Sequence, residues 1–345
     1  AFNVSYVYAN LVGNESGRAI FDGDAMIASG GKMQAVGKRF SYRSTVLTTA
    51  VVNIDVTRMA RSRSGSFEPE IDGDESDVLQ MPMDFPTVGP VVEKPKRESW
   101  MAGATVKEEE FTRTVCLGLF DYMRKSHSHG FVVSLSGGCD SASVVALIAT
   151  MFKLANAELG FEDLLERIEL YVNDRSKPSE VSDLVRRLLT TVYQSTKNSG
   201  PVTRAAAMEV ATAVNATHYE FDVDGIVVAY RKTVSSAIGE PLTWEEHDIT
   251  LQNIQARVRS PGVWMLANLN NALLISTSNR SEAAVGYATM DGDTSGGLSP
   301  IAGIDKAFLR KWLTWMEQEG PEEIGAIPAL NSVNQQQPTA ELRPL

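Results

Sequence analysis

The stretch SLSGGCDS, residues 134–141, combines paired glycines, three hydroxyls and one acid in a single turn. Gly137 and Gly138 let a backbone reverse sharply and bring its N–H groups against a ligand. The apolar run that follows reads as a helix whose positive end points to the same place, so an anion such as a phosphate is the natural guest. Ser136 and Ser141 add hydroxyl donors. A Walker A loop would carry Gly-x-x-x-x-Gly-Lys-Ser/Thr; this loop is shorter and has no lysine, which excludes a kinase or GTPase cradle. Asp140 has two readings. It can complement the dipole of its own helix, or, beside a phosphate, it can hold Mg²⁺ together with phosphate oxygens. Cys139 stands in the same turn, between Gly138 and Asp140.

Three later segments carry further candidates. In NIQARVR (253–259), Asn253 and Arg257 stand four apart and share a helix face. That face is either solvated or directed at phosphate oxygens, onto which a guanidinium forks. In STSNRSEAAVGYATMDGDTSGG (276–297), Thr277 ends a strand and Glu282 opens a helix, where it also reads as a dipole residue. Asp291 and Asp293 suit a turn equally well. In GIDKAFLRKW (303–312), Lys306 stands at a helix start, a place the dipole mildly disfavours for a cation.

The elements that must position these residues follow from periodicity. A helix is expected at 106–126, a strand at 131–135, a helix at 140–154, a strand at 188–195 and a helix at 203–214. A strand at 217–223, helices at 224–238 and 248–272, a strand at 272–278 and a helix at 305–318 complete the series. Such alternation predicts an α/β fold: a mostly parallel, Rossmann-like sheet with helices on both faces, binding its ligand at the carboxyl ends of the strands. Residues 1–56 read instead as short β runs, with SGGK at 29–32 as a tight reversal. The polar, proline-punctuated stretch that follows has linker composition. The expected organisation is a β-rich piece over 1–60, a linker over 61–100 and the main domain over 101–345.

Composition bounds the rest. The chain has 345 residues and a formal net charge of −11, with no block of Lys or Arg, which argues against sequence-independent nucleic-acid binding. Its two cysteines make no disulfide framework, so a reducing cytoplasm is the expected compartment. Cys116, in an amphipathic stretch, reads as a small core residue. No signal peptide and no apolar run able to cross a bilayer are expected, hence no membrane partner. Both ends look cut.

The loop Ser136-Gly137-Gly138-Cys139-Asp140-Ser141 is similar to the SGGxDS loop of N-type ATP pyrophosphatases. The order of SGGxDS, TKNS, NIQAR, STSN-SE, GDTSGG and GIDK over residues 105–345, with PTAEL at 338–342, resembles the NAD synthetases among them. YVYANLVG and FDGDAMI resemble the end of the nitrilase-like glutaminase domain of the glutamine-dependent type. The resemblance implies an adenine nucleotide alpha hydrolase-like fold preceded by a partial nitrilase-like α/β domain. It also implies ATP-dependent amidation of deamido-NAD through an adenylate, with AMP and pyrophosphate released. ATP would be held by Ser136, Gly137, Gly138, Asp140, Ser141, Thr277 and Lys306, and Mg²⁺ by Asp140 and Glu282. Asp140, Thr277 and Lys306 are the catalytic candidates; Asn253, Arg257, Glu282, Tyr287 and Asp293 are those for deamido-NAD. Ammonia would come from glutamine in the full-length parent. The catalytic cysteine of such a glutaminase precedes the segment matched here, so this stretch is expected to use free ammonia only. Met290 departs from the pattern, standing where some ammonia-dependent relatives have a lysine. A homodimer or larger homo-oligomer is implied. Two alternatives stay open: another ATP pyrophosphatase such as a GMP synthetase, and a nucleotide-binding subunit without catalysis.

Overall fold

The computed structural model describes residues 3–15, 17–64, 81–82, 84, 97–168, 178–337 and 341–343. Most of the expected linker and Pro338–Ala340 of PTAEL lie outside these residues. The chain separates into two compact units, Ala1–Gly13 with Phe21–Gly103, and Asn14–Ile20 with Ala104–Leu345.

The first unit is built on β1 (Ser5–Ala9), β4 (Ala25–Ser29) and β5 (Lys32–Val36), an antiparallel sheet in the order β1-β4-β5. Gly30 and Gly31, both at positive φ, turn β4 into β5 at the expected reversal. A separate two-stranded sheet joins β2 (Val12–Glu15) and β3 (Ala19–Asp22), whose residues are divided between the two units. Phe40 and Trp100 pack with ring centroids 6.0 Å apart, under the guanidinium of Arg39. A helix that the β-rich reading of 1–60 did not anticipate, α1 (Ile54–Ser62), begins where Asn53 accepts hydrogen bonds from the backbone of Asp55 and Val56.

The second unit alternates as expected. Its elements begin with α2 (Val106–Lys125), β6 (Phe131–Ser134), α3 (Cys139–Leu159), α4 (Phe161–Arg167), α5 (Val181–Leu188), β7 (Leu189–Ser195) and α6 (Pro201–Ala213). They continue with β8 (Thr217–Asp222), α7 (Asp224–Ile238), α8 (Trp244–Arg257), α9 (Arg259–Asn270), β9 (Leu273–Ile275), α10 (Arg280–Val285) and α11 (Lys306–Gln318). The strands form one parallel sheet in the order β8-β7-β6-β9. The chain builds outward from β6 to β8, then returns to the other side of β6, so the strand order reverses between β6 and β9. Ligands of open parallel sheets sit at such a switch.

Side-chain alternation assigns the two faces. Val132, Val192 and Leu274 pack on Val263 and Ala267 of α9. On the other face, the Tyr193 hydroxyl meets Thr203 Oγ1 of α6 at 3.0 Å. Helix α3 is apolar around its circumference and lies under α2 and α11, as such a helix must. It corrects the membrane expectation: by length and composition α3 could cross a bilayer, but 78% of its apolar window is buried in the protein. Cys116 is fully buried, as expected of a core residue.

The single long helix expected at 248–272 is two helices parted at Val258. Pro261 is the physical reason: it has no N–H for the carbonyl of Arg257, so an unbroken helix would lose that bond. Strand β9 stops at Ile275, short of the expected 278. There Ile275 makes an isolated bridge with Leu298, and the Ser276 N–H donates to the Leu298 carbonyl at 2.9 Å.

Candidate active site

The glycine loop leaves β6 at its carboxyl end. Gly137 has φ +80°, and a Cβ placed on it would stand 2.1 Å from the Thr203 carbonyl oxygen of α6, so only glycine fits. The Ser136 N–H donates to Ser141 Oγ at 3.2 Å, and the two hydroxyls lie 3.1 Å apart. Gly138 is the N-cap of α3, and no side chain caps that end. The first N–H groups of a long buried helix therefore remain open beside the loop, the arrangement that accepts an anion.

Asp140 decides between its two readings by where it points. Its carboxylate does not cap α3. One oxygen accepts from Asn279 Nδ2 at 3.0 Å, and the other pairs with Lys306 Nζ. The same ammonium lies 3.1 Å from Glu282 Oε1. Asp140, Glu282 and Lys306 thus meet, from the segments after β6, after β9 and at the start of α11. The switch point lets these distant segments converge.

Local sequence fixes each arm. Asn279 and Glu282 form a capping box at α10: Asn279 Oδ1 accepts from the Glu282 N–H at 3.0 Å, and the Asn279 N–H donates to Glu282 Oε2 at 3.4 Å. Asp305 caps α11, accepting from the Phe308 N–H at 2.8 Å, and pairs with Arg280 at 3.1 Å. The Lys306 N–H donates to Ser281 Oγ at 3.1 Å, which ties the start of α11 to the first turn of α10. The unfavourable position of Lys306 in its helix dipole is offset by two carboxylates.

Burial raises the pKa of Glu282, the Asp140 charge raises it further, and Lys306 offsets only part of this. Burial alone would lower the pKa of Lys306, but Asp140 and then Glu282 hold it above its ordinary value. Two half-buried acids sharing one cation favour a further positive charge. Among the described residues no group of three or more His, Cys, Asp and Glu comes together. At most two carboxylates are available, a donor set that fits Mg²⁺ completed by phosphate oxygens and water and does not fit a closed zinc site.

The remaining candidates lie apart from this cluster. Thr277 is half-buried just past β9. Asn253 accepts from Thr289 Oγ1 at 3.3 Å, and Arg257, exposed, donates through Nε to the Met290 carbonyl at 3.0 Å. Both therefore serve the 289–290 segment. Tyr287 and Asp293 are exposed. Cys139 is half-buried, and burial followed by the Asp140 charge pushes its thiol up to about 11, so it carries no thiolate at neutral pH. Sequence reasoning passed over Asn279, although the spacing Asn279-x-x-Glu282 is a capping-box signal.

A profile described as NAD synthase matches residues 111–345. A glutamine-dependent NAD(+) synthetase of Oryza sativa subsp. indica is 31% identical, over 99% of this chain and 48% of its own length. One from Homo sapiens is 30% identical, over 99% of this chain and 50% of its own. The crystal structure of a glutamine-dependent NAD(+) synthetase from Cytophaga hutchinsonii aligns with a TM-score of 0.75 and 38% identity, covering 99% of this chain and 50% of that one. The chain spans about half the length of the curated relatives it matches.

Proposed function

The chain belongs to the NAD synthase family, and we propose that it carries the ATP-dependent step that amidates deamido-NAD to NAD. The observation that supports this most directly is the convergence of Asp140, Glu282 and Lys306 beside an uncapped helix N-terminus and a glycine loop. Such a site suits attack on an α-phosphate with pyrophosphate as the leaving group.

The nicotinate carboxylate of deamido-NAD attacks the α-phosphorus of ATP. A carboxylate oxygen–phosphorus bond forms, the bond to the bridging oxygen breaks, and pyrophosphate leaves with the electron pair. Ammonia then attacks the activated carbonyl carbon and loses a proton, and AMP departs with the oxygen. The backbone of Gly137 and Gly138 and the hydroxyls of Ser136 and Ser141 hold the departing pyrophosphate. Lys306 sets a positive charge against the phosphates, and Thr277 steadies ATP at the end of β9. Asp140 and Glu282 would hold Mg²⁺, which when bound screens phosphate charge. Asn253, Arg257, Glu282, Tyr287 and Asp293 are assigned to deamido-NAD. In the whole protein glutamine is the ammonia source, and residues 1–60 belong to the nitrilase-like part that releases it.

The active species is a homodimer or larger homo-oligomer. Ile226, Val228, Tyr230, Val234 and Ile238 of α7 and Met265 and Leu269 of α9 are exposed, apolar side chains that a second copy would cover.

Full-length protein is mixed with ATP, Mg²⁺, deamido-NAD and ammonia, and NAD, AMP and pyrophosphate are measured. Equal amounts of the three support the reading; absence of NAD from folded protein overturns it. Sedimentation at two concentrations checks the assembly.

A further inference from the structure

A second guanidinium of the NIQARVR segment is placed quite differently from the first. Arg257 is exposed and engaged by a backbone carbonyl. Arg259, across the break at Val258, is half-buried, its Nε is shut off from solvent, and it makes no hydrogen bond or ion pair with a described residue. A donor nitrogen withdrawn from water without an acceptor loses hydration and gains nothing, so the state of Arg259 Nε is unusual.

Two further buried glutamines along this seam each leave an amide oxygen without a partner, while Gln194 Nε2 donates to Ser134 Oγ at 3.1 Å. Gln255 precedes Arg259 by one turn and is 2% exposed; Gln194, at the carboxyl end of β7, is 5% exposed. The Oε1 atom of each is buried and unpaired. The seam is narrow: a Cβ on Gly262, one turn beyond Arg259, would lie 3.6 Å from Gln194 Oε1. Burial lowers the pKa of Arg259, while Asp293, Tyr193 and Glu341 favour its charge without pairing with it. Glu341 and Tyr193 both bond Thr203, the residue whose carbonyl confines the glycine loop. Arg259 therefore stands within electrostatic reach of the loop's own supports.

We propose that Arg259 is a substrate-binding residue that grips an anionic oxygen of one of the two reactants, a phosphate or the nicotinate carboxylate, with Gln194 and Gln255 taking hydroxyl donors of the same molecule. The shared chemistry is an oxyanion attached to a polyol, which both ATP and deamido-NAD supply. The inference rests on the NAD-forming reading above and adds a residue to it. A forked, planar donor matches two oxygens at once, which a lysine cannot do.

The test uses full-length protein and the variants Arg259→Gln and Arg259→Lys. The KM for ATP is measured at saturating deamido-NAD, and the KM for deamido-NAD at saturating ATP. Arg259→Gln is expected to raise one of the two by about tenfold or more, with Arg259→Lys recovering part of the loss. Whichever KM rises names the reactant that Arg259 grips. Thermal shifts with ATP alone and with deamido-NAD alone should diminish for that same ligand only. Both KM values within about twofold of wild type in folded variants would overturn the proposal. So would unfolding of both variants, which would make Arg259 a packing residue. An inactive wild type would instead sink the NAD-forming reading itself, so the two failures are distinguishable.

Discussion

The two halves of the site are held by different physics. The glycine loop is fixed by sterics: Gly137 adopts φ +80° against the Thr203 carbonyl, and its neighbours bond one another across five residues. The Asp140–Glu282–Lys306 cluster is fixed by charge, its members drawn together from three segments. A steric constraint is insensitive to pH and salt and fails when an atom is added. A charge constraint tolerates changes of shape and fails when a proton or a charge is added or removed. The contrast shows where one site can be rigid and where it must respond to its ligand.

Four changes test the contrast, in descending order of expected effect. Gly137→Ala adds a methyl where 2.1 Å is available and forces alanine to positive φ. It is expected to cost about 3 kcal/mol in denaturant unfolding, and to abolish pyrophosphate release. Asp140→Asn keeps an acceptor for Asn279 and removes only the charge. Its kcat should fall by about 100-fold or more while the melting temperature stays close to wild type; loss of fold instead would show that charge also builds the loop.

The titration of Glu282 gives a graded result. Its carboxyl should titrate above 4.5 by carbon NMR, move down in Asp140→Asn as a like charge disappears, and move up in Lys306→Met. The sign for stability follows. Because the folded pKa is raised, the native state binds the proton more tightly than the unfolded chain. This group's contribution is thus present below 4.5 and is lost as pH rises through its folded pKa. The smallest effect is expected for Cys139→Ala, with activity within about twofold in the same assay, since a half-buried neutral thiol has no part in either constraint.

What could be read from sequence divides along the same line. The glycine loop was legible because its determinants are contiguous: two glycines, flanking hydroxyls and the strand and helix they join. Asp140, Glu282 and Lys306 could each be named, chiefly through family resemblance, but their meeting could not, because the reversal of strand order is a property of the sheet. Asn279 was passed over, although it serves both a cap and a carboxylate. The two arginines show the limit most clearly. Helical spacing treats 248–272 as one rod and gives Arg257 prominence; Pro261 interrupts that rod and leaves Arg259 facing inward. Short helices such as α4 and α5 were missed because seven or eight residues hold too few turns for a period to emerge.

The bond between Lys306 and Asp140 spans 166 residues of chain. Contacts of such separation form late, after the loops between them have closed. Both acids precede in sequence the lysine that offsets their repulsion, so a fold without α11 would leave a like-charged pair uncompensated. Acquisition of nucleotide affinity during refolding should therefore coincide with the last step of assembly, making ligand binding a timer for the completed chain.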